Sequence, residues 1–273
     1  MADFKEGDVK IDGIKIHYYR SGGKKPPFIL LHGATDNGLC WGQTARELTE
    51  RYDVIMPDAQ GHGLSDRLDP TFSFETHTKQ VVGLIKELGL KKPLIMGHSM
   101  GAGTTANVAS EYPSLLKAII LEDPAWGMTA PKPENMEEAK KQQEFFRTYL
   151  AEIGKRRLED IVIESRKNDP TWAEEERVPW AMAKKQSDKN LFNTMVINPR
   201  PYEEIVTKIQ CPTMLIIAEK GIVSKETAEK AAELWTSKNP FKWVLIKGAG
   251  HNIRREQHAA FKKALDEFLE EIG

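Results

Sequence analysis

Gly97-His98-Ser99-Met100-Gly101 sets a hydroxyl between two glycines, directly after the apolar run Leu94-Ile95-Met96 and before the small-residue stretch Ala102 to Glu111. A strand that turns sharply into a helix has no room for side chains beside the turn. It exposes the serine Oγ at a helix N-terminus, where free N–H groups and the dipole favour a developing negative charge. The chemistry this serves is attack of a serine oxygen on a carbonyl carbon. A serine hydroxyl is a poor nucleophile near neutral pH, so a histidine must take its proton and return it to the leaving group, with a carboxylate orienting the imidazole. Seven histidines are available. His251, in Gly248-Ala249-Gly250-His251-Asn252, follows the apolar run Trp243 to Ile246 and precedes the last helix-like segment. His98 adjoins the serine and, as its neighbour in the turn, points away from it. His17, His62, His77 and His258 are expected at the surface or as caps. His251 and His258 do not form a helical metal-ligand spacing with an acid, so no metal is expected.

The elements that must hold these residues follow from the hydrophobic pattern. Val9, Ile11, Ile14, Ile16 and Tyr18 alternate with polar residues around Asp12-Gly13, which predicts an opening β-hairpin. Short apolar runs bounded by turn residues follow: Phe28 to Leu31, Val54 to Met56, Pro93 to Met96, Ala118 to Leu121, Thr213 to Ala218 and Trp243 to Ile246. Such runs read as strands buried on both faces. Val81, Val82, Leu84, Ile85 and Leu88 recur at helical spacing, and Phe261, Leu265, Phe268, Leu269 and Ile272 give the last helix one apolar face. Strands alternating with helices imply a mostly parallel sheet covered on both sides. The rhythm breaks between about Trp126 and Tyr202, a Lys- and Glu-rich stretch carrying Phe145, Phe146, Tyr149, Trp172, Trp180 and Phe192 and no clear strand. It is expected to be an inserted helical cap, polar outside and apolar beneath.

Composition narrows the classes of function. The 273 residues fit one large domain, with 40% hydrophobic and 29% charged residues. A formal charge of −1 gives no field that would draw nucleic acid or an anionic membrane. Met1 to Glu6 has no apolar leader core, and nowhere do about 18 apolar residues run together, so a cytoplasmic protein is expected. Cys40 and Cys211 are far apart and match no ligand spacing; both are expected to be reduced packing residues.

The strand, elbow and helix around Ser99, with the serine early and the histidine last, resemble the α/β-hydrolase superfamily over nearly the whole chain. Leu31-His32-Gly33-Ala34 resembles that family's oxyanion loop, and Pro57-Asp58-Ala59-Gln60-Gly61-His62-Gly63-Leu64-Ser65-Asp66 is similar to its D-x-x-G-x-G-x-S signature, which serves architecture. The resemblance implies an eight-stranded, mostly parallel sheet flanked by helices, with residues 1–125 and 206–273 as the core and 126–205 as the cap. It implies Ser99 as nucleophile, His251 as base, and the backbone N–H groups of Ala34 and Met100 as oxyanion donors. The acid departs from the usual pattern. Most relatives carry an aspartate a few residues past the strand equivalent to Thr213 to Ala218, and here Ala218-Glu219-Lys220-Gly221 has glycine at that place. Glu219 stands at the same strand end. Asp123 ends the preceding strand, 24 residues beyond the serine, where some relatives take their acid. One of the two is expected to complete the set, with neighbouring Glu122 a lesser candidate.

On this reading the chain is a cofactor-free serine hydrolase of a small to medium carboxylic ester. Lactonase, amidase, C–C hydrolase and perhydrolase chemistry remain open on the same residues, and so does a non-catalytic ligand-binding module on the same scaffold. Trp41 and Trp126 are expected near the mouth of an apolar pocket. The expected partner is a small ester or lactone, with no nucleic acid and no membrane; monomer and homodimer are both open.

Overall fold

The computed structural model describes residues 4–69, 72–126, 136–194 and 200–273. The chain opens with β1 (Lys5–Ile11) and β2 (Ile14–Arg20), paired antiparallel through a two-residue turn. Asp12 and Gly13 take φ values of 51° and 86° in that turn, the positive values its hairpin geometry demands. Six strands then run parallel: β3 (Pro27–Leu31), β4 (Asp53–Pro57), β5 (Leu94–His98), β6 (Ala118–Glu122), β7 (Thr213–Lys220) and β8 (Phe241–Gly250). They join the hairpin in one eight-stranded sheet of order β1-β2-β4-β3-β5-β6-β7-β8. The mostly parallel sheet expected from the sequence is therefore observed. β8 extends past its apolar run to Gly250, because the pairing with β7 continues there through a register shift.

Both faces of the sheet are buried, and alternate residues serve opposite faces. Ile29, Leu31, Ile95, Ile119, Leu121 and Leu215 belong to one apolar cluster, which includes residues of α2 (Phe74–Glu87), α3 (Met100–Glu111), α8 (Tyr202–Val206) and α9 (Lys225–Glu233). Phe28, Leu30, Leu94, Met96, Ile120 and Ile216 belong to the other, with α1 (Gly42–Leu48), α10 (Ile253–Glu256) and α11 (His258–Glu271). Cys40 and Cys211 are buried and unbridged. Among the described residues no helix is long and apolar enough to cross a membrane.

Between β6 and β7 the chain forms α4 (Met136–Lys155), α5 (Leu158–Asn168), α6 (Glu174–Gln186) and α7 (Leu191–Thr194) ahead of α8. Residues 127–135 and 195–199, inside the expected cap, lie outside the described residues. The described helices bury Leu150, Ile153, Ile161, Val162, Ala181 and Leu191 in a third cluster, shared with Ala59 and Met100 of the sheet-bearing part.

Candidate active site

The site is built at the C-terminal ends of the parallel strands. β5 ends at His98, and Ser99 takes φ 53° and ψ −114° before α3 begins at Met100. A positive φ in a residue with a side chain is sparsely populated, and the surrounding backbone enforces it. Ser99 N–H donates to Glu122 O at 2.9 Å, and Ser99 O accepts from the N–H groups of Gly103 and Ala125. The flanking glycines are obligatory here. A Cβ on Gly97 would lie 2.3 Å from Gly101 O, and one on Gly101 would lie 2.2 Å from Leu31 O.

Register places Asp123 beside the serine. His98 and Glu122 are paired across β5 and β6, so Ser99 and Asp123 are each the first residue beyond adjacent parallel strands. Asp123 also bends back with a positive φ, 43°. Its carboxylate is fully buried, and Oδ2 lies 2.6 Å from His251 Nδ1. It also accepts the N–H groups of Ile222 and Val223, at 2.9 and 3.0 Å. Three nitrogen atoms around a buried carboxylate offset much of its desolvation. Gly221 makes this possible, since a Cβ there would lie 2.6 Å from Asp123 Oδ2. The glycine at the usual acid position is thus the space that Asp123 occupies.

The other two acids are placed differently. Glu219 is exposed and accepts the Gly248 N–H at 2.8 Å, serving the β8 backbone and not His251. Glu122 is fully buried and accepts from the backbone N–H and guanidinium of Arg254, at 2.9 and 3.1 Å. Burial pushes its carboxyl up, and Arg254 opposes the shift.

His251 immediately follows β8, and its backbone is held from two sides. Glu256 accepts the N–H groups of Gly250 and Asn252, which flank it. His98 donates from Nε2 to the His251 carbonyl at 2.9 Å, with the two rings 4.7 Å apart. Burial, then His251 and Arg254, hold the His98 imidazole well below its usual range, so it stays neutral beside the second ring. His98, expected from its place in the turn to point away from the serine, hydrogen-bonds the loop that carries His251. No sequence signal marks that contact, because it joins residues 153 positions apart.

The loop His32-Gly33-Ala34 passes against the elbow, since a Cβ on Gly33 would lie 3.3 Å from Ser99 Cβ. Met100, the first residue of α3, carries one of the helix's N–H groups without an intrahelical acceptor. The glycine-rich signature is architectural, as expected: Asp58 accepts the N–H groups of Gly38 and Leu64 at 2.7 and 2.8 Å.

Two expectations are corrected. His17, His62 and His77 are interior and not surface residues. His77 Nδ1 lies 3.0 Å from Thr104 Oγ1, and burial with the nearby His32 lowers its pKa to about 3. Thr35 meets His62 and Thr104 meets His77 from 27 positions away, contacts that local pattern does not show. Trp41 and Trp126 do not stand at an open mouth. Trp41 is fully buried with the Arg254 guanidinium 4.0 Å from its ring centre, and Trp126 is buried in a stack on Tyr202. Among the described residues no cluster suited to a metal ion occurs.

The family model for the alpha/beta hydrolase fold matches residues 26–254. The N-formylmaleamate deformylase of Pseudomonas putida is 33% identical over 119 residues, 43% of this chain and 44% of that protein. The 2-(acetamidomethylene)succinate hydrolase of Mesorhizobium japonicum is 30% identical over 104 residues, 38% of this chain and 37% of that protein. The chain thus spans less than half the length of these curated relatives. The solved structure of an N-formylmaleamic acid deformylase from Pseudomonas putida S16 superposes with a TM-score of 0.74 at 21% identity, covering 96% of this chain and 100% of that one. With the strand order, the elbow and the family match in agreement, the chain belongs to the α/β-hydrolase family.

Proposed function

We propose that the protein is a serine hydrolase that cleaves a small to medium carboxylic ester through an acyl-enzyme. The observation that carries this is the 2.6 Å contact between His251 Nδ1 and buried Asp123, at the strand end beside a serine held in an elbow. On this reading the Ser99 hydroxyl turns toward His251 when a carbonyl is bound. In the proposed cycle His251 takes the Ser99 proton as Oγ attacks, and Asp123 stabilises the imidazolium. The Ala34 and Met100 N–H groups hold the oxyanion. His251 then protonates the departing alcohol, and water repeats the sequence on the acyl-enzyme. Residues 126–205 act as a cap on a core of 1–125 and 206–273. The underside of the cap, with Leu150, Ile153 and Trp180, meets Met100 and Ala34 in one apolar cluster, which suits an uncharged acyl group.

A second reading is amide hydrolysis on the same residues. It is favoured by two relatives named for an N-formyl and an acetamido substrate. The test is turnover of p-nitrophenyl acetate, butyrate and octanoate, beside an N-formyl and an N-acetyl enamide, by wild type and Ser99→Ala. Ester turnover lost in Ser99→Ala sustains the main reading. Ser99-dependent turnover of the amides alone selects the second. Turnover equal in both proteins sinks both readings.

A further inference from the structure

The Asp36 N–H donates to Gly33 O at 3.2 Å, closing a β-turn over Gly33, Ala34, Thr35 and Asp36. Thr35, third in that turn, has φ 64°. A positive φ at this position is the mark of a type II turn, where glycine is ordinarily required, and a β-branched residue is among the least suited to it. Such strain persists only where the surroundings over-determine it.

Three groups do so. His62 Nε2 accepts the Thr35 N–H at 3.3 Å. Lys184 donates from Nζ to Thr35 O at 3.2 Å, Thr35 Oγ1 at 2.6 Å and Asp36 Oδ1 at 3.2 Å. Arg255 donates to the other Asp36 oxygen at 2.9 Å. Burial pushes the Asp36 carboxyl up, but Arg255, Lys184 and Arg254 outweigh it and hold the group below the usual carboxylate range. Lys184 belongs to α6, 149 positions from Thr35, and its side chain is buried. Burying an ammonium is costly unless every proton is engaged, and the shortest of its contacts goes to the threonine hydroxyl. The other end of α6 is tied to the same set, since Glu176 accepts from Arg255 Nε at 3.0 Å.

We propose that Lys184 is a positioning residue for the oxyanion loop: an inserted helix, through Thr35, holds the turn in which the Ala34 N–H is presented to Ser99. This rests on the reading of Ala34 as an oxyanion donor. The ring closed by the Asp36 N–H runs to Gly33 O and does not use the Ala34 N–H. A change at Lys184 therefore acts on the tetrahedral intermediate and not on the His251–Asp123 pair.

The experiment compares wild type, Ser99→Ala, Lys184→Met, Thr35→Val and the double variant Lys184→Met/Thr35→Gly. Competent serine is first counted by exhaustive fluorophosphonate labelling. Hydrolysis of p-nitrophenyl acetate and inhibition by a trifluoromethyl ketone, a mimic of the tetrahedral oxyanion, are then measured per labelled serine. Lys184→Met is expected to lower kcat by about 10- to 100-fold with KM nearly unchanged, and to weaken the ketone by the same factor. The acid limb of its pH–rate profile stays in place. Thr35→Val keeps Asp36 paired and tests the hydroxyl contact even where Lys184→Met does not fold; it moves kcat and the ketone the same way, by less. The double variant regains rate, because glycine takes the left-handed conformation without strain. Wild-type kcat in Lys184→Met or Thr35→Val, or a loss of kcat without weaker ketone binding, overturns the inference and leaves Ser99 as nucleophile. Labelling and turnover in the wild type that do not depend on Ser99 overturn both.

Discussion

β6 and β7 are adjacent parallel strands, and each carries an acidic residue at its C-terminal end, Asp123 just beyond β6 and Glu219 next to last in β7, yet the two ends have opposite characters. At the β6 end Asp123 has no exposed surface, bends into the left-handed region and collects two backbone N–H groups and one imidazole. At the β7 end Glu219 lies in solvent and holds one backbone N–H. The difference follows from what stands next to each. Gly221, two residues beyond Glu219, leaves an open volume that the Asp123 carboxylate enters, and the Ile222 and Val223 N–H groups converge on it. A carboxylate works as a partner to histidine where its remaining lone pairs are satisfied and water is excluded, and only the β6 end meets both conditions.

The largest expected effect tests this contrast directly. Asp123→Asn should lower kcat on p-nitrophenyl acetate by about 10³- to 10⁴-fold, because the amide no longer stabilises the imidazolium. Comparable activity in that variant would remove the functional contrast between the strand ends. Stability should separate the ends as well. Glu122→Ala removes the nearer carboxylate from buried Arg254, leaving Asp36 at 3.6 Å, and should cost about 3 kcal/mol in a denaturant melt. Gly221→Ala forces a Cβ against Asp123 and should cost about 1–3 kcal/mol, with a loss of rate that a surface glycine would not produce.

The pH dependence of stability sharpens the same lesson about burial. His77 has its pKa lowered to about 3 in the folded chain, while an unfolded histidine titrates near 6.5. The unfolded chain therefore binds the proton first, and the contribution is full above about pH 6.5 and is lost as pH falls toward 3, by about 1.4 kcal/mol per pH unit. His77→Gln should flatten the melting-temperature profile between pH 6.5 and 4 by about that slope; an unchanged profile would show that this histidine does not set it. The smallest effect belongs to the β7 end, where Glu219→Gln is expected to keep kcat within about twofold and stability within about 0.5 kcal/mol.

Much of the architecture was legible in local pattern. The two-residue hairpin turn, the buried runs that became strands and the amphipathic last helix each depend on neighbours a few residues away, and all are present. The elbow was legible in part for the same reason: a side chain at Gly97 is excluded by Gly101 within the same short turn, whereas one at Gly101 is excluded by Leu31 of β3. Ser99 and His251 stood out by type, position and chain order. Local pattern could not rank Asp123 above Glu219, because the decision lies in Gly221, Ile222 and Val223, which reach Asp123 only after β6 and β7 have paired. It also misplaced His17, His62 and His77, whose burial comes from segments remote in the chain.

The sequence by itself determined that a strand–turn–helix would present a serine, and that a histidine would follow the last strand. Those features rest on backbone sterics and hydrophobic period, which act over a few residues. Only the tertiary structure decided which carboxylate faces the histidine, that His98 supports its carbonyl, and that Lys184 of an inserted helix reaches the turn at Ala34. Those contacts join residues more than a hundred positions apart, and their strength depends on water being excluded, which no stretch of chain can arrange alone.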